Sequence, residues 1–403
     1  MAKRFDAHHL STRLSEQRAV VSLVASRIVY AINWLNIGAI FYLMSADLNS
    51  GVSGLGTLAS SFYLGVGTMQ VPGGILAAKW GPKRTVVLGI LVSSSAVLGT
   101  SVATAIVQAA ILRFVVGAGM ALVFAPSVVL ATRFLGGKSG TGVGLINSAF
   151  DVGGLFGLFG WILLASVMGW RPSLALSGGL GVFTGLLVVA LVPRDGENVR
   201  FRFDAGQLGR ILRERNLILI GLGCLGSNLG SVLISSFMAF YLQASLGETA
   251  AIAGLVAAMI VVFPIYTSLW GGRVYDRSRK PRRLLIMSGL GMVVALVICA
   301  APNPFAAALG AVLGGIVVGP AYTIAFAAAK DLCRVGREYE GLAVAWVNSI
   351  SLTGAFWPPL IFSYLAKSFD YSAAWLGGSA LCFLLLIPLF FLRGDQTRSA
   401  KEA

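Results

Sequence analysis

Three side chains in this sequence carry charge where charge is expensive. Arg27, Arg113 and Asp151 each lie inside a long apolar stretch. An ionisable group in hydrocarbon costs about 2.5–3.5 kcal/mol even on lenient insertion scales, so it faces a partner or a watery cavity. Two guanidiniums and one carboxylate leave a net positive charge, which suits an anionic ligand such as a small carboxylate. Asp151 can also exchange a proton, because burial opposes its charge while a neighbouring guanidinium favours it. Enzymatic chemistry has no comparable support. The chain holds no phosphate-binding loop, no Gly-x-Ser-x-Gly elbow and no cluster of metal ligands. His8 and His9 sit in the polar N-terminal tail and read as solvated. Cys224, Cys299, Cys333 and Cys382 follow neither a redox nor a metal-binding spacing. No cofactor and no metal are expected.

The elements that hold these charges follow from composition. Of 403 residues, 57% are apolar and only 12% charged, against about 25% charged in soluble domains. Mean hydropathy is +0.83. A helix needs roughly 20 apolar residues to cross a bilayer, and twelve stretches qualify. They centre near Trp34, Gly65, Ser94, Gly119, Gly154, Phe183, Gly230, Met259, Val293, Gly315, Thr353 and Leu384. The alternation of a membrane barrel is absent. Basic residues gather on alternate connections, among them Lys79, Lys83 and Arg84, then Arg210, Arg213 and Arg215, then Arg273, Arg277, Lys280, Arg282 and Arg283. The opposite connections hold only Arg171 and Lys367. This bias places both termini in the cytoplasm. It also explains the net charge of +15 through contact with anionic lipid, with no nucleic-acid partner.

A repeat runs through the chain. Gly73-Gly74 after the second stretch matches Gly271-Gly272 after the eighth. Asn147-Ser148 with Gly153 matches Asn348-Ser349 with Gly354, and Gly119 matches Gly319. The expected architecture is an all-α membrane protein of twelve transmembrane helices in two pseudo-symmetric six-helix bundles. Residues 1–193 form the first, 194–215 a cytoplasmic linker, and 216–403 the second. Parallel halves of this kind rock about a site near the midplane.

Depth and helical spacing select the candidate site. At 1.5 Å per residue, Arg27 lies about 10 Å into its helix and Asp151 about 15 Å into its own, which predicts a pair. Arg113 sits nearer the outer side. Arg27, Tyr30 and Trp34 share a face, with Asn33 and Asn36 beside it, while Asn147 and Asp151 share another. Asn228, Tyr322 and Asn348 are the second-half candidates for closing a substrate cavity, with Tyr63 and Gln70 as lesser additions. Buried asparagines equally serve as glue between helices.

The connection holding Gly74, Leu76, Ala77, Gly81, Lys83 and Arg84 resembles the cytoplasmic signature of the major facilitator superfamily, with Ala78 at its acidic position. Asp276-Arg277 stand at the matching place in the second half. Arg113, Gly117 and Gly119 resemble that family's fourth-helix signature. The segment SSFYLGVGTMQVPGG from Ser60, and Gly169-Trp170-Arg171, resemble its anion-handling branches, whose first-helix Asp-Arg pair is here Asn33-Trp34. The Gly-Pro antiporter signature is absent from the fifth helix. The resemblance covers the whole chain. It implies that the first and fifth helices pack together and that Gly74, Gly81, Lys83, Arg84, Asp276 and Arg277 belong to a gating loop. It further implies a secondary transporter of the cell membrane, moving a small organic solute by alternating access; Asp151, the one carboxylate within the spans, is the candidate for proton coupling, and a monomer is expected. An exporter of amphipathic compounds, a uniporter or exchanger, and a non-transporting receptor or scaffold are the alternatives.

Overall fold

The computed structural model describes residues 2–135, 139–193, 205–278, 280–331 and 340–392. Residues 194–204 of the expected linker therefore lie outside the described residues, as does Cys333. The first half contains α1 (Ala2–Asp47), α2 (Val52–Trp80), α3 (Pro82–Ser101) and α4 (Ile106–Ala121). It continues with α5 (Phe124–Phe134), α6 (Ser139–Leu155), α7 (Trp161–Met168) and α8 (Trp170–Leu191). A short α9 (Ala205–Leu212) buries Ile211 against the second half. There follow α10 (Arg215–Ala244), α11 (Ala250–Val262), α12 (Pro264–Ser278), α13 (Pro281–Cys299) and α14 (Pro304–Asp331). The chain continues into α15 (Glu340–Gly354), α16 (Trp357–Ser368) and α17 (Tyr371–Leu386). No strand occurs among the described residues.

Ten spans among the described residues are long and apolar enough to cross a bilayer. Two further helical stretches, α2 and α15 with α16, stand where the sequence places the second and eleventh spans, which is consistent with twelve. Their lower hydropathy has a physical reason: they pack on each other between the halves, where no lipid tail demands an apolar surface.

Helix ends are satisfied by short-range chemistry. Asp370 caps α17 through a 2.6 Å bond from the Ala373 amide, and Asn303 caps α14 through a 2.8 Å bond from Ala306. Gly81 turns the chain between α2 and α3 with φ +90°, and Gly169 does the same between α7 and α8 with φ +85°. These angles favour glycine. Each turn delivers a cation to a helix C-terminus, where partial negative charge accumulates. Lys83 Nζ donates to the carbonyls of Val189 (2.9 Å) and Val192, at the end of α8. Arg171 Nη1 donates to those of Ser101 (3.1 Å) and Ala103 (2.8 Å), at the end of α3. The two antiparallel helices are thus clamped reciprocally.

The repeat is present in the packing. Gly153 of α6 leaves no room for a side chain against Ile28 of α1, and Gly354 of α15 leaves none against Leu225 of α10. Beyond each glycine the helix breaks its regular form, as a π-helical turn at Phe156–Gly160 and as the interruption between α15 and α16. The seam between the halves is symmetric too. Gly56 of α2 packs on Ser363 of α16, and Gly254 of α11 on Ile162 of α7.

These contacts lie toward the side away from the basic loops, joined there by Gly38 against Ser235 and by Phe41 edge-on to Phe240 at 5.5 Å. At mid-depth the seam continues through Gly67 with Thr353 and Gly154 with Val261. Nearer the basic side, Asn147, Ser148, Pro72 and Gly74 are exposed.

Candidate functional site

Helix α1 supplies one wall. Arg27, Tyr30 and Trp34 recur at helical spacing, so their side chains emerge on one face. The guanidinium carbon of Arg27 lies 4.1 Å from the Tyr30 ring centroid and 4.8 Å from those of Phe124 and Phe150. Helices α5 and α6 thereby complete an aromatic cage about the cation. Each such contact contributes roughly 0.5–2 kcal/mol, partly offsetting lost hydration. The rings cover the faces of the guanidinium, and ring faces accept no ordinary hydrogen bond from Nε or Nη1. Arg27 is 6% exposed, and both of those nitrogens lack a hydrogen-bond partner.

Asp151 follows Phe150 on α6 and is half-buried. It stands near enough for its charge to act on Arg27. The two do not form the ion pair that equal depth suggests, whereas Arg171 and Asp47 on the far side approach to 3.8 Å. Aromatic rings, rather than the carboxylate, hold the guanidinium in place.

Arg113 reaches the same wall from α4. Gly117, one turn on, lets α4 approach α2 until a side chain there would strike the Phe62 carbonyl. Arg113 consequently lies over the Phe62 ring at 4.4 Å and passes beyond it to α1. Its Nη1 donates to the Asn33 carbonyl (3.1 Å) and its Nη2 to that of Trp34 (3.3 Å). A small pocket opens beside it between the halves, lined by Trp34, Phe62, Tyr63, Arg113, Ser235 and Ser236 among others.

A continuous band of rings connects the two cations. Trp34 lies 5.7 Å from Tyr30, 5.8 Å from Phe150, 4.7 Å from Phe62 and 6.1 Å from Tyr63. Tyr322 of α14 is half-buried against the core and lies 5.7 Å from the Phe326 ring. Asn147 is exposed one turn before Asp151, and Asn348 is half-buried beside Ser349, whose hydroxyl reaches the Gly67 carbonyl at 3.5 Å.

Three other candidates are placed elsewhere. Asn33 and Asn36 turn into the first bundle, donating to the Ser177 carbonyl (3.3 Å) and Ser177 Oγ (3.2 Å). Asn228 donates to Ser351 Oγ (3.3 Å) inside the second bundle. These three tie helices together within a half. In the basic loops, Gly81 turns the chain and Lys83 clamps α8, whereas Arg84, Asp276 and Arg277 are exposed. Gly74 has open space around it. Nearby in the second half, the Tyr275 hydroxyl donates to Asp331 at 2.7 Å.

Sequence reasoning missed Phe62, Phe124, Phe150, Ser235 and Ser236. Phe150 had a signal in its position next to Asp151. The others reach the site only through tertiary packing.

Known proteins resemble this chain along its length. The sequence profile of the Major Facilitator Superfamily matches residues 23–277 and 220–403. The probable sulfoacetate transporter SauU of Cupriavidus necator is 24% identical over 92% of this chain and 93% of its own. The probable galactarate/D-glucarate transporter GudP of Escherichia coli is 24% identical over 88% of each. Among solved structures, the nucleoside transporter NupG superposes with a TM-score of 0.74 at 12% identity, covering 94% of this chain and 98% of that one. The chain belongs to the Major Facilitator Superfamily, and it is a multi-pass membrane transporter, not an enzyme.

Proposed function

We propose that this protein is a proton-coupled secondary transporter that carries a small organic anion across the cell membrane by alternating access. The observation that carries the reading is Arg27, a buried guanidinium whose Nε and Nη1 have no hydrogen-bond partner and which forms no ion pair. Relatives whose names specify sulfoacetate and galactarate or glucarate support an anionic substrate.

Asp151 supplies the coupling. When its carboxylate is ionised it compensates Arg27 and repels an arriving anion. When it is protonated, the Arg27 charge stands uncompensated and attracts the anion. Anion and proton therefore bind favourably together and leave together. The positive-inside bias puts the basic side and both termini in the cytoplasm, so the described arrangement corresponds to the inward-facing state. Residues 1–193 and 216–403 then move as two bodies joined by 194–215, within a monomer surrounded by lipid. Exchange of the seam contacts at Gly56 and Gly254 for contacts around Gly74, Gly81, Lys83, Arg84, Asp276 and Arg277 would open the far side.

The experiment is uptake of labelled carboxylates into proteoliposomes, with and without an imposed pH gradient. Uptake that depends on the protein and rises with an inward proton gradient supports the proposal. Protein-dependent uptake indifferent to the gradient removes the proton from it, and absence of any anion uptake removes the substrate class.

A further inference from the structure

We infer that the pocket beside Arg113 is a binding site for a single inorganic anion of chloride's size, and that the bound ion bridges the two halves and holds the outer seam shut. The site is separate from Arg27, and the inference is independent of which solute is carried.

The first argument is charge. Arg113 is 3% exposed, and a guanidinium stays protonated throughout the physiological range. A buried charge left without a counter-charge is costly. Among the described residues Arg113 forms no ion pair. Its Nη1 and Nη2 each donate to an α1 carbonyl, its carbon lies over the Phe62 ring, and its Nε has no hydrogen-bond partner. Carbonyls and a ring face offer partial charges only, so a full negative charge is missing.

The second argument is the size and lining of the pocket. About 20 Å³ of it is open to the centre of a water-sized sphere, where about 10–15 Å³ admits one water. A monatomic anion fits, and an organic acid does not. Arg113 and the hydroxyls of Tyr63, Ser235 and Ser236 line the pocket, and no carboxylate does. Ser235 Oγ holds only a long 3.3 Å bond to the Val232 carbonyl, and hydroxyl hydrogens rotate toward an arriving acceptor. Water would satisfy donors there but leave the guanidinium uncompensated, whereas a halide does both.

The third argument is position. Arg113 and Tyr63 belong to the first half, Ser235 and Ser236 to α10 of the second. Gly38 also lines the pocket and meets the Ser235 and Ser236 backbone, so the pocket wall is part of the closed seam. An ion held from both sides favours this arrangement over one in which the seam parts, because its affinity for the two differs.

The test follows the thermal midpoint of the full chain in detergent. Potassium chloride or bromide replaces potassium sulfate at constant ionic strength, sulfate being too large for the pocket. Either halide should raise the midpoint saturably. In Tyr63→Phe/Ser235→Ala/Ser236→Ala, which keeps Arg113 and its bonds to α1, the halide concentration for half effect should rise about tenfold or more. Arg113→Gln should lose the response. A single cysteine from Gly74→Cys, in a background without native cysteines, should react with a maleimide faster in chloride than in sulfate, since the ion favours the open basic side. A pocket that holds water only gives no saturable halide response in the unmodified protein, and that result overturns the inference. So does sulfate acting as well as the halides, or a halide response unchanged in the hydroxyl variant. Halide binding with equal labelling in chloride and sulfate overturns the bridging role.

Discussion

Replacing Asp151 by Asn keeps the size and shape of the side chain and removes its titratable charge. The carboxylate acts on Arg27 from beyond ion-pair distance, so the magnitude follows from a through-space charge interaction. An anion held at Arg27 would face the Asp151 carboxylate from about 6–8 Å, and at an effective dielectric of about 20 two unit charges at that separation interact by roughly 2–3 kcal/mol. That corresponds to roughly 30–100-fold in affinity. The sign is set by which form favours the anion. Protonated Asp151 leaves Arg27 uncompensated, so unmodified protein should bind its anion tightly at low pH and lose affinity by this factor as pH rises through the carboxylate's titration. The Asn variant should hold the low-pH affinity at every pH. The neighbouring charged and titratable groups, Arg27 and Tyr30, are unchanged in it. Calorimetry or fluorescence titration across pH, followed by uptake with an imposed gradient, checks both parts. Asp151→Glu should restore some of the slope. If Asp151→Asn protein retains the full pH dependence, or is still accelerated by an inward proton gradient, the coupling argument fails.

Other perturbations test the scaffold. Arg113→Gln removes two charge-assisted bonds to α1 and should cost about 2–4 kcal/mol, seen as a lowered thermal midpoint in detergent; Arg113→Lys should recover part of it. Gly117→Ala drives a methyl group into the Phe62 carbonyl and should destabilise by about 1–3 kcal/mol while weakening anion binding. Gly74→Ala meets open space, so stability and binding should be unchanged, and a defect confined to turnover would mark a contact made only when the basic side closes. A disulfide between Gly56→Cys and Ser363→Cys, in a background without native cysteines, should lock the far side. Uptake should stop on oxidation and return on reduction, and transport at the normal rate by the cross-linked protein would refute the assigned seam.

Much of the scaffold is legible in the sequence because the bilayer enforces it. Helix length, apolar composition and the alternation of basic loops read directly from the chain, and the Asn-Ser-Gly repeat foretells equivalent packing of α6 on α1 and α15 on α10. Gly81 and Lys83 are visible as a motif, though the motif does not say that the lysine clamps the end of α8. The charged residues are visible too, since Arg27, Arg113 and Asp151 stand out against hydrocarbon. Their partners are harder to read. Depth alone suggests Arg27 with Asp151, yet depth is one coordinate, and the rings of Tyr30, Phe124 and Phe150 come from three helices whose rotation no periodicity reports. The same blindness places Asn33, Asn36 and Asn228 at the cavity. An amide on an apolar helix satisfies its donors wherever a hydroxyl is nearest, and here Ser177 and Ser351 lie within the bundles.

The symmetry of the scaffold and the asymmetry of its chemistry together constrain how the protein can work. Both halves repeat the same glycine contacts and helix breaks, so each supplies an equivalent hinge and an equivalent share of the seam. The three charges within the spans all lie in the first half, where α1, α4 and α6 bring them to one aromatic wall. The second half offers that wall Ser235 and Ser236, which are neutral groups. Rocking the second bundle past the first therefore moves no buried charge relative to the others. The Arg27 cage stays intact while the surface opposite it changes, so under the proposed mechanism access would alternate without dismantling an anion site there.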